Sequence, residues 1–196
     1  MKIIVTGGAG FIGSHLVDKL CDLGHEIIVL DNFSTGRKDN LYHLDDKINL
    51  IECDLSFPGE WQKHFEGVKA VYHLAALADV VPSIQKPSDY FKSNVDGTFN
   101  VLNAAKDYKV SKVIYSASSS CYGMAKNFPT PETADIDTQY PYALTKRLGE
   151  ELVLHWAKVY NLSVISLRIF NAYGPRSRTT GAYGAVMGVF FKQKLK

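Results

Sequence analysis

Short apolar runs rich in β-branched residues alternate along the chain with longer runs that place apolar residues at helical spacing. The short runs predict buried strands, at 2–6, 26–30, 48–53, 70–74, 112–116 and 162–169. The longer runs predict amphipathic helices, one from near Phe11 to just before Gly24 and others at 88–108, 142–160 and 183–195. In helix 88–108 the expected buried stripe is Phe91, Val95, Phe99, Leu102 and Ala105. This alternation predicts an α/β fold, a doubly wound parallel sheet covered by helices on both faces.

A glycine-rich turn joins the first predicted strand to the first predicted helix. Gly8, Gly10 and Gly13 match the G-x-G-x-x-G pattern, and Gly7, Gly10 and Gly13 match the wider form. Glycines let the backbone approach a pyrophosphate, and the N-terminus of the following helix attracts its charge. Asp31 ends the second strand, where a carboxylate accepts hydrogen bonds from the adenosine ribose and repels a 2′-phosphate. These features predict a Rossmann fold that binds NAD rather than NADP; the alternative is a glycine turn with a surface Asp.

Several residues that could bind a ligand or take part in a reaction directly follow the predicted strands. Ligands of open parallel sheets bind beyond the carboxyl ends of the strands, so these residues should meet at one edge. The positions are Asp31, Asp54, 74–76, Ser118 and Asn171.

Tyr142 and Lys146 are four residues apart and should share one face of a helix. A free phenol titrates near pH ~10. A nearby ammonium, helped by the positive nicotinamide ring of the cofactor, favours the phenolate, so we expect Lys146 and the cofactor to lower the pKa of Tyr142. Ser118 could share the proton of the reacting hydroxyl with Tyr142. On its own the pair is a weak signal, since an amphipathic helix commonly carries such residues on its solvated face.

Composition narrows the class of protein. The chain is 46% hydrophobic and 21% charged, with a formal net charge of +2, which gives no electrostatic case for a nucleic-acid partner. No apolar run has the length of a membrane span, and Met1 leads directly into a strand, so neither a membrane segment nor a signal peptide is expected. The three cysteines are scattered, which favours free thiols in the cytoplasm. No cluster of ligands suggests a metal.

The motifs, taken together and in order, resemble the extended short-chain dehydrogenases/reductases, in particular the NAD-dependent nucleotide-sugar epimerase/dehydratase family. The matching segments are 6–13, 31–32, 54–55, 73–76, 94–98, 118–123, Tyr142 with Lys146, and 168–171. The resemblance implies that Ser118, Tyr142 and Lys146 are catalytic. It places NAD against Gly7, Gly10, Phe11, Ile12, Asp31, Asn32, Ser34, Thr35, Gly36, Asp54, Leu55, Leu74, Ala75, Ala76, Asn94, Tyr142 and Lys146. It places a nucleotide-sugar, UDP-linked in our interpretation, against Ser118, Ser119, Ser120, Tyr142, Phe170 and Asn171.

Within this family, the serine cluster favours one reaction. Sugar 4,6-dehydratases carry an acid in the cluster and UDP-glucuronate decarboxylases a glutamate, whereas Ser119 and Ser120 stand here. The triple serine resembles the 4-epimerases, which oxidise the sugar transiently at C4 and return hydride to the opposite face. A dehydratase or reductase of the same family, or a non-catalytic NAD-binding module, remains the alternative.

Several residues also have a purely structural interpretation. Asn94 could bond a neighbouring backbone, His73 could be a packed histidine, and Asp54 could form a strand-end turn. Ser119 and Ser120 could cap a turn, while Cys121, Tyr122 and Trp156 could simply pack.

The chain also departs from the family pattern. Ala78 stands where some UDP-galactose 4-epimerases carry a lysine, and Ile169 replaces an aromatic residue. We expect an NAD-binding domain over 1–175 and, over 176–196, only the start of the substrate-binding portion, with apolar surface exposed where the rest would dock. The basic tail, Lys192, Lys194 and Lys196, is interpreted as a solvated face. Helices 88–108 and 142–158 resemble a four-helix dimer interface, so a homodimer is expected.

Overall fold

A computed structural model describes residues 1–177, 190, 193 and 194. Its centre is one parallel sheet with the strand order β3-β2-β1-β4-β5-β6, as predicted for a doubly wound fold. The strands are β1 Lys2–Thr6, β2 Glu26–Asp31, β3 Ile48–Glu52, β4 Ala70–His73, β5 Lys112–Ser118 and β6 Ser163–Ile169. The order reverses between β1 and β4, and this is the point at which such sheets bind ligands.

Helices and short helical turns connect the strands. The α-helices are α1 Phe11–Asp22, α2 Val80–Gln85, α3 Pro87–Phe91, α4 Gly97–Asp107 and α5 Pro141–Tyr160. The 3-10 turns are Lys38–Asn40, Tyr42–Leu44, Glu60–Phe65 and Ser119–Tyr122. The sequence pattern did not reveal α2. Of the expected helix 183–195, only residues 190, 193 and 194 are described, and they are helical; its other residues and the basic Lys192 and Lys196 lie outside the described residues.

Side chains that alternate along the strands form two separate cores. Ile4 of β1 packs on one face with Leu102 of α4 and Val153 of α5. Its neighbour Ile3 points to the other face and joins a cluster that contains Val17 of α1. Both faces are therefore buried around β1, which explains why the central strands are almost wholly apolar.

One face of the sheet is less covered at β6. Ile165 and Leu167 lie on the side of the sheet that α1 covers further along, and they are 45% and 47% exposed. The expectation of helices over both faces is thus met at β1 but not at this end of the described structure. Exposed apolar surface was expected where the rest of the substrate-binding portion would dock, and the location of that docking surface stays a prediction.

The helix predicted over 88–108 is interrupted by a π-helical turn, Lys92–Asp96. The stripe expected to be buried is only partly so, because Phe91 and Phe99 are 48% and 42% exposed. Leu102 and Ala105 are buried as predicted. A π-helical turn adds a residue and rotates the following helix relative to the preceding one, so Phe91 before the turn does not share a face with Leu102 and Ala105 after it.

Membrane insertion finds no support in the helices. No helix in the described part of the chain is long and apolar enough to cross a bilayer.

Candidate active site

The nucleotide turn is built from backbone in close contact. Gly7 has φ +67°, a conformation that favours glycine. A methyl group on Gly13 would overlap the Gly7 carbonyl oxygen, and one on Gly8 would lie 2.7 Å from Cγ1 of Val29 in β2. The three glycines thus allow α1 to start directly against the ends of β1 and β2. Its first-turn N–H groups consequently face the edge of the sheet where an anion is stabilised.

Asp31 is held in place by the same turn. Its Oδ2 accepts a hydrogen bond from the Ala9 N–H at 2.9 Å, and its Oδ1 accepts one from the Phe33 N–H at 2.9 Å. Burial raises the pKa of Asp31, and these two backbone hydrogen bonds oppose the rise. Each carboxylate oxygen has further lone-pair capacity for a ribose hydroxyl.

At the other end of this edge, Ser118 and Tyr142 come from different elements. Ser118 ends β5, and its Oγ accepts a hydrogen bond from the Ser120 N–H at 3.2 Å and lies 2.7 Å from the Ser120 Oγ. Tyr142 stands in the first turn of α5, after Pro141. Its N–H, left free by the helix start, donates to the Ser83 Oγ of α2 at 3.1 Å. α2 therefore fixes the helix end that carries the tyrosine.

Lys146 lies one turn further along α5, fully buried, with its ammonium 4.5 Å from the centre of the Tyr115 ring. The Tyr115 hydroxyl donates to the Lys146 carbonyl oxygen at 3.3 Å, and Gly149 leaves room for it. Burial lowers the pKa of Lys146 to about 7, and the nearby Glu150 opposes this. Tyr115 thus contacts both the backbone and the charged end of this lysine, a role that the sequence pattern did not indicate.

The lowered pKa expected for Tyr142 depends on Lys146 and the cofactor together, and Lys146 alone does not make Tyr142 more acidic. The pKa of Tyr142 is raised, because burial outweighs the hydrogen-bonding effect of Ser118, and Tyr140 and Asp79 add to the rise. The Lys146 ammonium lies on the Tyr115 ring, and its charge is not among the causes of the shift. In this state of the protein, Tyr142 is therefore held as a neutral phenol.

A chain of buried polar groups starts behind the nucleotide turn. The Thr98 hydroxyl donates to the Asn94 carbonyl at 2.6 Å, so it accepts from His73 Nε2 at 2.9 Å. His73 Nδ1 then accepts from the Thr6 hydroxyl at 2.7 Å. Burial lowers the pKa of His73 to about 3, which keeps the ring neutral as this arrangement requires. His73 is a packed, hydrogen-bonded histidine, as its structural interpretation proposed.

Asn94 extends this chain to the catalytic helix. Its Oδ1 accepts from the Leu77 N–H at 2.8 Å, while its Nδ2 donates to the Leu77 carbonyl at 3.0 Å and to the Thr145 Oγ1 at 3.0 Å. Thr145 in turn donates to the Tyr142 carbonyl at 3.0 Å. Asn94 was expected to order a water or the helix near the nicotinamide, and its place among the cofactor residues stays a prediction: its amide is engaged by Leu77 and Thr145, and it does not line the cavity. Its alternative role, bonding a neighbouring backbone, is the one the structure has.

A single cavity of about 1580 Å³ runs from the nucleotide turn to the serine cluster. All the other predicted cofactor residues line it: Gly7, Gly10, Phe11, Ile12, Asp31, Asn32, Ser34, Thr35, Gly36, Asp54, Leu55, Leu74, Ala75, Ala76, Tyr142 and Lys146. So do the predicted substrate residues Ser118, Ser119, Ser120, Phe170 and Asn171. The cavity therefore joins the predicted nucleotide and catalytic sites.

Some residues make a structural contact and also line the cavity. Asp54 accepts a hydrogen bond from the Ser56 N–H at 2.9 Å, which is a strand-end turn, and it also lines the cavity. Tyr122 is buried and accepts from Arg168 at 2.7 Å, yet it lines the cavity too. Cys121 and Trp156 are buried packing residues, as expected.

Several residues of the cavity wall were not predicted from the sequence. They include Asp79, Val80, Phe128, Tyr140 and Arg176. Asp79 and Val80 shortly follow the predicted 74–76 segment, and Arg176 shortly follows Asn171. Proximity to a predicted strand end was the signal that could have found them. Phe128 and Tyr140 come from the long connection between β5 and α5, whose path no local pattern predicts.

Comparison with known proteins identifies the family. A model of the NAD dependent epimerase/dehydratase family matches residues 3–195. The chain belongs to this family.

Relatives in the family catalyse more than one reaction by name. The chain is 36% identical over 196 residues to a putative UDP-glucose 4-epimerase of Methanocaldococcus jannaschii, covering 99% of this chain and 63% of that protein. It is 40% identical over 183 residues to UDP-glucuronic acid decarboxylase 1 of Arabidopsis thaliana, covering 90% and 41%. The structure of the Thermotoga maritima UDP-glucose 4-epimerase with UDP-glucose matches with a TM-score of 0.94 and 37% identity, covering 100% of this chain and 63% of that one. The chain spans less than two thirds of the length of these relatives.

NAD is the cofactor of the family, and the residues present fit it. Gly7 and Gly10 line the cavity where a side chain would occupy the cradle, beside the start of α1. Asp31 lines the same cavity beside the nucleotide turn, and Tyr142 and Lys146 line it at the opposite end. A dinucleotide needs this combination of a phosphate cradle, a ribose acceptor and an open path to the catalytic groups.

Proposed function

We propose that this chain is the cofactor-binding and catalytic part of an NAD-dependent nucleotide-sugar 4-epimerase that acts on UDP-linked hexoses. The observation that carries the proposal is that Ser118 and Tyr142 line one cavity that is continuous with the nucleotide turn. Ser119 and Ser120 complete a wall of hydroxyl groups beside them.

The residues supply proton transfer and orientation. Bound NAD supplies an acceptor that takes hydride from C4 of the sugar and gives it back. Tyr142 takes the proton of the C4 hydroxyl, and Ser118 hydrogen-bonds the same hydroxyl and holds it against the phenol. A ligand that adds positive charge beside Tyr142 favours its phenolate. Because hydride is returned in every turnover, no net oxidation of the sugar is expected.

The hydroxyl wall favours epimerisation over water loss or decarboxylation. Elimination of water needs a group that donates a proton to the leaving hydroxide, and carboxylic acids are far better donors than serine hydroxyls. Ser119 and Ser120 stand where the resemblance implies an acid in the dehydratases and a glutamate in the decarboxylases.

We further propose a homodimer that pairs the helices over 88–108 and 142–158. Phe91 and Phe99 of this region are about half exposed, as are Leu144 and Leu154 of α5. Exposed apolar side chains on two long neighbouring helices are typical of a subunit interface. We also propose that residues 1–175 form the cofactor domain and that 176–196 begin the substrate-binding portion. The three cysteines are unpaired, which supports placement in the cytoplasm.

The proposal is tested with full-length protein purified without added cofactor. Nucleotide released on denaturation should be NAD, and incubation with UDP-glucose should yield UDP-galactose with no accumulation of reduced cofactor. A product that has lost water or carbon dioxide would favour the dehydratase or decarboxylase chemistry. Bound NAD with no turnover of UDP-, GDP- or dTDP-sugars would favour a non-catalytic NAD-binding module.

A further inference from the structure

Tyr115 makes two separate contacts with Lys146 of the catalytic helix α5. Tyr115 lies in β5 and is buried, and the centre of its ring is 4.5 Å from the Lys146 ammonium. Its hydroxyl donates a hydrogen bond to the Lys146 carbonyl oxygen at 3.3 Å. Gly149 makes room for this hydroxyl, because a methyl group there would overlap the Tyr115 oxygen. One side chain thus contacts both the backbone and the charged end of the lysine.

Neighbours other than the lysine hold the Tyr115 ring in place. The centre of the His73 ring lies 5.7 Å from its own, and His73 is hydrogen-bonded in turn to Thr6 and Thr98. Burial raises the pKa of Tyr115, so the hydroxyl keeps its proton and the ring is that of a neutral phenol. The electron-rich face of such a ring attracts a cation, most strongly where water is excluded. Tyr115 therefore stabilises the charged form of Lys146 without carrying a charge itself.

Glu150 is a carboxylate whose charge reaches Lys146, but it is hydrogen-bonded elsewhere. It lies one turn further along α5 and opposes the effect of burial, which lowers the pKa of Lys146 to about 7. Its oxygens accept hydrogen bonds from Ser166, Arg168 and Arg147. No ion pair joins this carboxylate to Lys146 within the described residues. The ammonium therefore contacts an aromatic ring, while the carboxylate acts on it from a distance.

The titratable groups near Lys146 on β4 and earlier on α5 are uncharged. Burial lowers the pKa of His73 to about 3, so its ring is neutral, and burial raises the pKa of Tyr142, so its phenol keeps its proton. Because the pKa of Lys146 lies near neutrality, a modest preference for the charged form changes the fraction of the lysine that carries a proton. The ring of Tyr115 is placed to supply that preference.

We propose that Tyr115 is a positioning residue that keeps Lys146 charged and holds its ammonium at the wall of the cavity before a ligand arrives. The part of Lys146 in the reaction rests on the proposed function, whereas its charge does not. A charged lysine offers three N–H donors at the cavity that Lys146 lines. Without the ring, the proton affinity of Lys146 should fall roughly 10-fold, so that most of it is neutral at pH ~7.

The test follows the ionisation of Lys146 directly, by NMR of the full-length protein labelled with carbon-13 at the lysine Cε. The signal of Lys146 is assigned by its loss in Lys146→Met. Tyr115→Leu removes the ring and should move the titration midpoint roughly 10-fold in proton concentration towards acid. Tyr115→Phe keeps the ring, removes only the hydroxyl, and should leave the midpoint near that of the wild type. The matched control is Tyr72→Leu, which removes a ring from the opposite face of the sheet and should not move the midpoint.

Fluorinated phenylalanines at position 115 provide the same measurement if Tyr115→Leu does not fold. Fluorine withdraws electrons from the face of the ring and nearly preserves its shape, so the midpoint should move further towards acid as fluorines are added. A midpoint that stays in place in Tyr115→Leu, or across the fluorinated series, would overturn the inference. Lower stability without a change of midpoint is the result expected of a residue that only packs.

Turnover of UDP-glucose over the same pH range separates this inference from the proposed function. If the midpoint moves as expected but the wild type turns over no UDP-sugar, the epimerase proposal fails and the role of Tyr115 stands. If the wild type epimerises UDP-glucose but the midpoint is the same in Tyr115→Leu, the inference fails and the proposed function stands. If both hold, the pH profile of kcat/KM in Tyr115→Leu should shift towards acid together with the midpoint.

Discussion

The two ends of the cavity are stabilised in different ways. At the nucleotide turn, Gly7, Gly8 and Gly13 bring backbone against backbone, and the important property is the absence of side chains. At the catalytic end, Tyr142 and Lys146 are large polar side chains held in a buried environment that opposes their charged forms. The conformation of the nucleotide turn therefore depends on close backbone packing without side chains. The chemistry proposed for the other end depends on the protonation states of Tyr142 and Lys146. Substitutions at the nucleotide turn should consequently reduce stability and NAD content, whereas substitutions at the other end should reduce turnover or change the pH dependence.

The largest effect is expected from Tyr142→Phe. The change removes one oxygen from the proposed base, so kcat should fall roughly 10²- to 10⁴-fold while the NAD content of the purified protein is unchanged. Steady-state kinetics and analysis of released nucleotide provide the two measurements. The control is Tyr108→Phe at the end of α4, away from the cavity. Normal turnover by Tyr142→Phe would remove the tyrosine from the mechanism.

Gly13→Ala should show the opposite behaviour, because its effect is on folding and cofactor retention. The added methyl group would meet the Gly7 carbonyl oxygen and the Gly8 Cα, so α1 must shift away from the sheet. We expect a loss of about 2–4 kcal/mol in the free energy of unfolding, together with loss of bound NAD. Urea denaturation measures the stability.

The matched control for that change is Gly59→Ala, since the nearest atom to a methyl group there lies at 3.4 Å and φ is −177°. It should alter stability by less than about 0.5 kcal/mol. If Gly13→Ala keeps full stability and bound NAD, close packing at the turn is not what the cofactor site requires.

His73→Phe tests the polar chain that connects the two ends. The phenyl ring has a similar shape, but the hydroxyls of Thr6 and Thr98 lose their partner, which costs about 1–3 kcal/mol of stability. The folded protein lowers the pKa of His73 from 6.5 to about 3, so the unfolded chain binds the proton first as the pH falls. The neutral histidine therefore contributes its full stability above pH ~6.5 and loses it progressively below, so the gap to the variant should narrow towards pH ~5.

Denaturation curves at several pH values measure this, with the exposed His155→Phe as the control. A gap that widens on acidification would mean that His73 is charged in the folded protein.

The smallest effect concerns Lys146 and the pH dependence of stability. Its pKa is lowered from 10.5 to about 7 in the folded protein, so the unfolded chain binds more protons between these values. Stability should therefore rise as the pH increases above ~7, by roughly 1–2 kcal/mol up to pH ~8.5. The half-buried Cys53 thiol, with its pKa raised from 9.0 to about 12, has the opposite effect, but only at higher pH.

Lys146→Met should abolish the rise, as followed by thermal unfolding between pH ~7 and ~8.5. The exposed Lys158→Met near the end of α5 is the control and should retain it. A rise that persists in Lys146→Met would assign the titration to another group.

Local pattern was sufficient for much of the fold and for most of the cavity wall. The alternation of apolar runs predicted the parallel sheet, and the strand ends predicted residues from Gly7 to Asn171 that line one cavity. Local sequence pattern could not predict two features. The π-helical turn Lys92–Asp96 takes Phe91 out of register with the buried residues of α4, and regular periodicity contains no sign of an added residue. The wall residues Phe128 and Tyr140 depend on the path of a long connection.

By itself, the sequence determined where an anion-binding turn is followed by an acid, because Gly7, Gly13 and Asp31 act through backbone geometry over a short stretch of chain. Only the tertiary structure decided the protonation of Tyr142 and Lys146 and the use of the Asn94 amide. Those properties depend on burial and on partners such as Tyr115, Leu77 and Asp79, which come from other parts of the chain. The pKa of a group depends on its burial and on the charges and hydrogen-bond partners around it, whereas the conformation of a glycine turn depends mainly on its own backbone.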